Sequence, residues 1–153
     1  GLLKAVSSFN TSPTFFSDLF WIKEYDPGAA LKVGDLSIEF TPVKHYITSY
    51  AMAISGSKRM AYSADSGFCH ELAELAQGAD LFLCEATRCE AEDDDWGHLS
   101  AAEAGELATR AKVKRLILTH FWPDCDYSQN IEQAKAVFGK AVEVAEELRT
   151  YIL

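Results

Sequence analysis

A chain of 153 residues, 48% hydrophobic and 12% aromatic, is long enough to bury one core and too apolar for a disordered segment. Its 14 basic and 23 acidic residues leave a net charge of −9, the wrong sign for generic attachment to a phosphate backbone, which disfavours nucleic acid as a partner. No window approaches eighteen consecutive apolar residues, and the opening GLLKAVSSF has neither a long apolar region nor a cleavage signal, so a cytoplasmic chain without membrane anchor is expected.

Residues 1 to 10 read as the tail of a helix, with Leu2, Leu3 and Val6 on one side and Asn10-Thr11-Ser12-Pro13 stopping it. The pattern FWIKEY predicts a strand from Phe20 to Tyr25, followed by a turn at Asp26-Pro27-Gly28. A hairpin follows, Ala30 to Val33 and Leu36 to Val43 about Gly34-Asp35, and its alternating second arm delivers His45 just past its end. A second hairpin, Tyr50 to Ile54 and Met60 to Ser63 about Gly56-Ser57-Lys58, delivers Asp65.

Cys69 to Gln77 then predicts a helix with Leu72, Leu75 and Ala76 inward and Gly78 ending it. Leu81 to Cys84 is a short buried strand with Glu85-Ala86-Thr87 at its tip, and the acidic stretch with Glu90, Glu92 and Asp93 to Asp95 reads as a solvated loop. Ser100 and Glu103 form a capping box for a helix from Ala101 to Ala111. Leu116 to Leu118 make an interior strand ending in Thr119 and His120, and Ser128 to Phe138 a helix closed by Gly139. Val142 to Leu153 fits either a helix or two short edge strands. Cys69, Cys84, Cys89 and Cys125 contain no C-x-x-C pair, which predicts free thiols in a reducing compartment, with a structural zinc site as the alternative. Nothing divides the chain, and hairpins followed by alternating strands and helices predict an α/β (α+β) domain, a mixed sheet with helices on one face.

His45, Asp65, His98 and His120 each fall at a strand end or helix entry, joined by Glu85. Imidazole and carboxylate suit zinc, manganese or iron, and an aspartate can bridge two such ions. Structural ion pairs and hydrogen-bonded histidines are the competing explanation at this level.

The stretches FTPVKHYITSYAMAI, MAYSADSG, LFLCEAT, GHLSAAEAGELA and RLILTHF resemble, in order and character, the later motifs of the metallo-β-lactamase fold, and within it the branch of ribonuclease Z and related phosphodiesterases. The resemblance covers roughly residues 36 to 125. It implies that His45, Asp65 and His120 are metal ligands, Asp65 bridging two divalent ions, most commonly Zn2+ with Mn2+ or Fe as alternatives. It further implies that His98 faces the scissile phosphate as proton donor or charge stabiliser, oriented by Glu85, with Cys84 standing where the family has histidine.

The family's H-x-H-x-D-H motif is absent. The resemblance therefore implies the C-terminal half of an αββα sandwich, residues 1 to 153 forming one partial domain. A partner carrying the missing histidines would complete the site, and the chain alone would bind metal weakly and turn over nothing. The short hairpin between His45 and Asp65, where tRNA-processing members carry a long arm, shifts the expected substrate to a small or cyclic phosphodiester. A non-catalytic scaffold, an ester or thioester hydrolase, and an RNA-processing nuclease are the alternative functions, and homodimerisation is compatible with the branch.

Overall fold

The structure is a computed structural model that describes residues 2–9, 11–12, 14–90 and 97–153. Asn10 and Pro13, expected to stop the first helix, and the acidic residues Glu92 and Asp93 to Asp95 lie outside the described residues. Two short helices open the chain, α1 (Leu2–Ser7) and α2 (Phe15–Leu19). Seven strands then form one sheet in sequence order: β1 (Leu31–Val33), β2 (Leu36–Val43), β3 (Ser49–Ser55), β4 (Arg59–Tyr62), β5 (Leu81–Glu85), β6 (Leu116–Thr119) and β7 (Val142–Val144). β1 to β4 pair antiparallel through tight turns, whereas β4 to β7 pair parallel. Parallel neighbours need crossovers, and each crossover carries one helix: α3 (His70–Leu75), α4 (Ala101–Arg110) and α5 (Tyr127–Phe138).

These three helices form one layer, α3 touching α4 and α4 touching α5. Beneath them lie Ala51, Ala53, Ala61, Phe82, Cys84, Leu116 and Leu118, all buried. Small residues on β3 and β4 let the helices seat closely, and larger ones on β5 and β6 fill the space behind. At the α4–α5 crossing Gly105 is required: a Cβ there would lie 2.6 Å from the Ala134 carbonyl oxygen. The expected capping box is formed, Ser100 Oγ accepting from the Glu103 amide while the Glu103 carboxylate accepts from the Ser100 amide. α5 ends as expected at Gly139, with φ of 70°.

Three expectations are corrected. Phe20 to Tyr25 is not a strand; its backbone finds no sheet edge to pair with among the described residues, Trp21 is 94% exposed, and Tyr25 stacks on Phe40 with ring centroids 4.2 Å apart. An apolar alternating pattern alone cannot supply the partner that a strand's amides need. Cys89 and Cys125 are not free thiols: they form a disulfide between the loops after β5 and β6, leaving Cys69 and Cys84 as thiols. The parallel pairing of β5 with β6 brings together loops that are 36 residues apart in sequence, a proximity invisible in cysteine spacing. Finally, Val142–Val144 resolves to a single strand beside β6, and the chain beyond it is irregular.

No described helix is long and apolar enough to cross a membrane.

Candidate functional site

Because β2 and β4 are each antiparallel to β3, they run in the same direction, and β5 and β6 run parallel to β4. The C-terminal ends of β2, β4, β5 and β6 therefore open on one edge of the sheet. That is where ligands gather in sheets of this kind, since the loops converge there and the strands fix their roots. His45 leaves β2 at this edge, Asp65 leaves β4, Glu85 ends β5, and His120 follows β6. His98 arrives from the β5–α4 connection, one residue after Gly97.

Gly97 explains how His98 reaches the others. Its φ is 73°, and a Cβ would lie 3.2 Å from the His45 Cα. Only glycine allows this loop to adopt the left-handed conformation and pass directly against β2's exit. The rings of His45 and His98 consequently stand 5.0 Å apart, and those of His98 and His120 5.6 Å apart. Asp65 Oδ1 is 3.5 Å from His120 Nδ1. The structure thus brings all five residues singled out in the sequence to one place. Two of the connecting residues, Ala64 and His120, have positive φ of 52° and 57°, a left-handed conformation that costs a non-glycine residue about 1–3 kcal/mol and clusters at functional sites.

Glu85 is the organising group. It is 1% exposed, and a buried carboxylate needs full hydrogen bonding. Its Oε1 accepts from the Ser66 amide at 2.7 Å and from His98 Nδ1 at 2.9 Å, while Oε2 accepts from the amides of Thr87 at 3.2 Å and Leu99 at 3.1 Å. One carboxylate therefore ties the loops after β4 and β5 to the entry of α4. Ligand atoms of Glu85, His98 and His120 lie within 4.8 Å of one another, but the four bonds already occupy both oxygens of Glu85 and leave it orienting rather than ligating. An ionised carboxylate can only accept, so His98 Nδ1 carries a proton and Nε2 is the atom presented to the open edge.

The remaining donor set fits a divalent cation. His45 Nε2 is buried with no hydrogen-bond partner among the described residues, and the contact at Nδ1, from the Ile47 amide, is long at 3.4 Å. A buried imidazole nitrogen without a partner is a cost that a bound ion removes. Asp65, His98 and His120 keep partial exposure toward the same edge, and imidazole with carboxylate suits zinc, manganese or iron.

Two neighbouring groups, Tyr62 and Cys84, are held toward their neutral forms. Burial, reinforced by the Asp65 and Glu85 charges, pushes the Tyr62 phenol up. Burial and then Glu85 push the Cys84 thiol well above its ordinary value, and Cys84 packs in the core beneath the helices. Beyond His120, Phe121 turns inward against the core and Tyr127, while Trp122 stands exposed at the rim.

Thr87 is not among the site residues expected from the sequence, although it stands in the CEAT stretch two positions past Glu85. It is buried, and its hydroxyl lies 2.7 Å from His120 Nδ1 and 2.8 Å from the His120 carbonyl oxygen. A threonine at a strand tip carries no signal of its own. Only the β5–β6 register, which pairs Glu85 with Thr119, places it beside a histidine.

One edge of the mixed sheet gathers three histidines and two carboxylates, and His45 Nε2 has no partner among the described residues, a donor set suited to a divalent ion. The chain belongs to the beta-lactamase superfamily domain family, which it matches over residues 9–121. It is 37% identical over 138 residues to the uncharacterized protein ML1173 of Mycobacterium leprae, a match covering 88% of this chain and 49% of that protein. A ribonuclease Z of Salinispora arenicola is 36% identical over 129 residues, covering 80% of this chain and 40% of the relative. The crystal structure of the metallo-beta-lactamase fold protein YhfI from Bacillus subtilis superposes with a TM-score of 0.74 at 32% identity, covering 80% of this chain and 52% of that one. The fold expected from the sequence is thus shown, and the chain spans about half the length of the curated relatives it matches.

Proposed function

We propose that this chain supplies part of the active site of a metal-dependent phosphodiesterase. His45, Asp65 and His120 would hold divalent metal, Asp65 bridging two ions, and His98 would act on the leaving oxygen. The observation that carries this reading is the Glu85–His98 pair, a fully hydrogen-bonded buried carboxylate aiming an imidazole at the edge where the other ligating groups collect. Such an ion, when bound, supplies Lewis acidity toward a phosphoryl oxygen and lowers the pKa of water. The chain's own contribution is orientation: Glu85 fixes the His98 tautomer, so Nε2 is the atom that delivers or receives a proton.

The relatives support hydrolysis, one bearing the name probable metallo-hydrolase and another ribonuclease Z. A small or cyclic phosphodiester fits better than tRNA, because β3 and β4 are joined by only Gly56-Ser57-Lys58 with no protruding arm, and the net charge is −9. The remaining ligands, in H-x-H-x-D-H form, would come from a complementary half of the fold, and the isolated 153-residue chain would bind metal weakly and be inactive.

In the full-length gene product, His98→Gln should keep its metal and lose roughly 10²–10⁴-fold in kcat for bis(p-nitrophenyl) phosphate, whereas Asp65→Ala should lose metal as well. Undiminished turnover in either variant would refute the corresponding role.

A further inference from the structure

Thr87 touches His120 at two points. A threonine hydroxyl has one proton, and a backbone carbonyl can only accept. The proton of Thr87 Oγ1 therefore goes to the His120 carbonyl oxygen at 2.8 Å, which leaves Oγ1 to accept from His120 Nδ1 at 2.7 Å, nearer to that nitrogen than Asp65 Oδ1 at 3.5 Å. This fixes two things at once. His120 carries its proton on Nδ1, so the lone pair lies on Nε2, and the backbone carbonyl of a residue held at φ of 57° gains a partner for its left-handed conformation.

Thr87 is itself anchored. Its amide donates to Glu85 Oε2, and its carbonyl accepts from the Trp122 amide at 3.2 Å, on the far side of His120. The carboxylate that orients His98 directly is thus also bonded to the residue that grips His120.

We propose that Thr87 is a positioning residue that selects the Nε2-basic tautomer of His120 and holds its strained backbone, so that the two histidines flanking the reaction edge are oriented from one buried carboxylate. The part of this inference that concerns metal affinity rests on the reading of His120 as a ligand. Hydrogen-bonded partners of ligating histidines typically matter by roughly 10–100-fold in metal affinity.

The test uses the full-length gene product with Thr87→Val, which keeps the β-branched shape and removes both bonds, and Thr87→Ser, which keeps the hydroxyl. The tautomer is read from imidazole 15N shifts in metal-stripped protein at pH about 8.5, roughly two units above the ordinary histidine pKa. Zn2+ affinity is read by competition with a chromophoric chelator. The expected result is a single Nδ1–H tautomer at His120 in the wild type and in Thr87→Ser, mixed tautomers in Thr87→Val, and Zn2+ affinity about 10–100-fold weaker in Thr87→Val alone. An Nε2–H tautomer in the wild type, or a tautomer unchanged by Thr87→Val, would overturn the proposal. Should Thr87→Val not fold, loss of the Nδ1–H tautomer in Thr87→Ser would overturn it equally. His120→Ala with undiminished Zn2+ affinity would instead refute the ligand reading and leave the tautomer assignment standing.

Discussion

At the scale of single residues, the two ends of the sheet are held by different chemistry. Opposite the site, Asp80 joins the starts of three parallel strands: it accepts from the Arg59 amide at 2.8 Å and from Lys114 Nζ at 2.8 Å, with Lys58 3.7 Å away. The Lys114 bond, followed by the Arg59 amide, lowers its carboxyl from 3.8 to about 2. A depressed carboxyl stabilises the fold above its unfolded value of 3.8, and that contribution is lost as pH falls through about 2. Asp80→Asn should therefore lower the thermal midpoint at pH 7, with the gap from wild type closing between pH 3.8 and about 2; a gap independent of pH would show that the charge is not responsible. For the cysteines, denatured protein purified without reductant should titrate two thiols per chain, Cys69 and Cys84, and four after reduction. Four thiols before reduction would remove the disulfide from the account.

At the scale of elements, the helix layer depends on one close crossing. Replacing Gly105 by alanine in the middle of a helix would ordinarily gain about 1 kcal/mol in propensity. Here the added methyl would meet the Ala134 carbonyl oxygen at 2.6 Å, and overpacking of this kind costs about 1–3 kcal/mol. The atoms met belong to the Ala134 backbone rather than to the end of a flexible side chain, so the steric term should win. Gly105→Ala is expected to lower stability by up to about 2 kcal/mol in urea unfolding, and a stabilised variant would show that α4 and α5 can separate freely. Helix ends and strand centres were legible in the sequence because their causes are local: the Ser100–Glu103 box, Gly139 and the apolar LIL of β6 all act within a few residues. The stretch from Phe20 to Tyr25 has strand-like residues but forms no strand, because strand formation requires a second strand.

At the scale of the whole molecule, α3, α4 and α5 cover one face of the sheet. On the other face the register aligns Phe40, Met52, Tyr62, Leu83 and Ile117 in one row, and Leu31, Ile38, Ile54, Met60 and Leu81 in a second. Ile117 and Leu81 are buried, but Phe40, Met52, Tyr62, Leu83, Ile38, Ile54 and Met60 remain partly exposed. Two adjoining, partly exposed apolar rows across a sheet suit face-to-face packing against a second sheet, as the proposed complementary half would provide. Expressed alone, the chain should self-associate through this face. Light scattering should report a mass above that of one chain, and Met52→Glu with Ile54→Glu should restore the monomer; a wild-type monomer that binds no hydrophobic dye would sink the idea.

The sequence by itself determined the elements whose signals are local and singled out the five candidate site residues that the structure brings to one edge. His45, Asp65, Glu85, His98 and His120 were visible because each ends a strand or opens a helix, and strand ends can be read from a short apolar run and its boundary. Their convergence was decided by topology, since β2, β4, β5 and β6 all run toward the same edge. Only tertiary structure could show that four donors saturate both oxygens of Glu85, that Thr87 grips His120, and that Cys89 meets Cys125. The reason is the same in each case: hydrogen bonds and disulfides depend on distances across strands and loops, and those distances do not exist until the sheet is assembled.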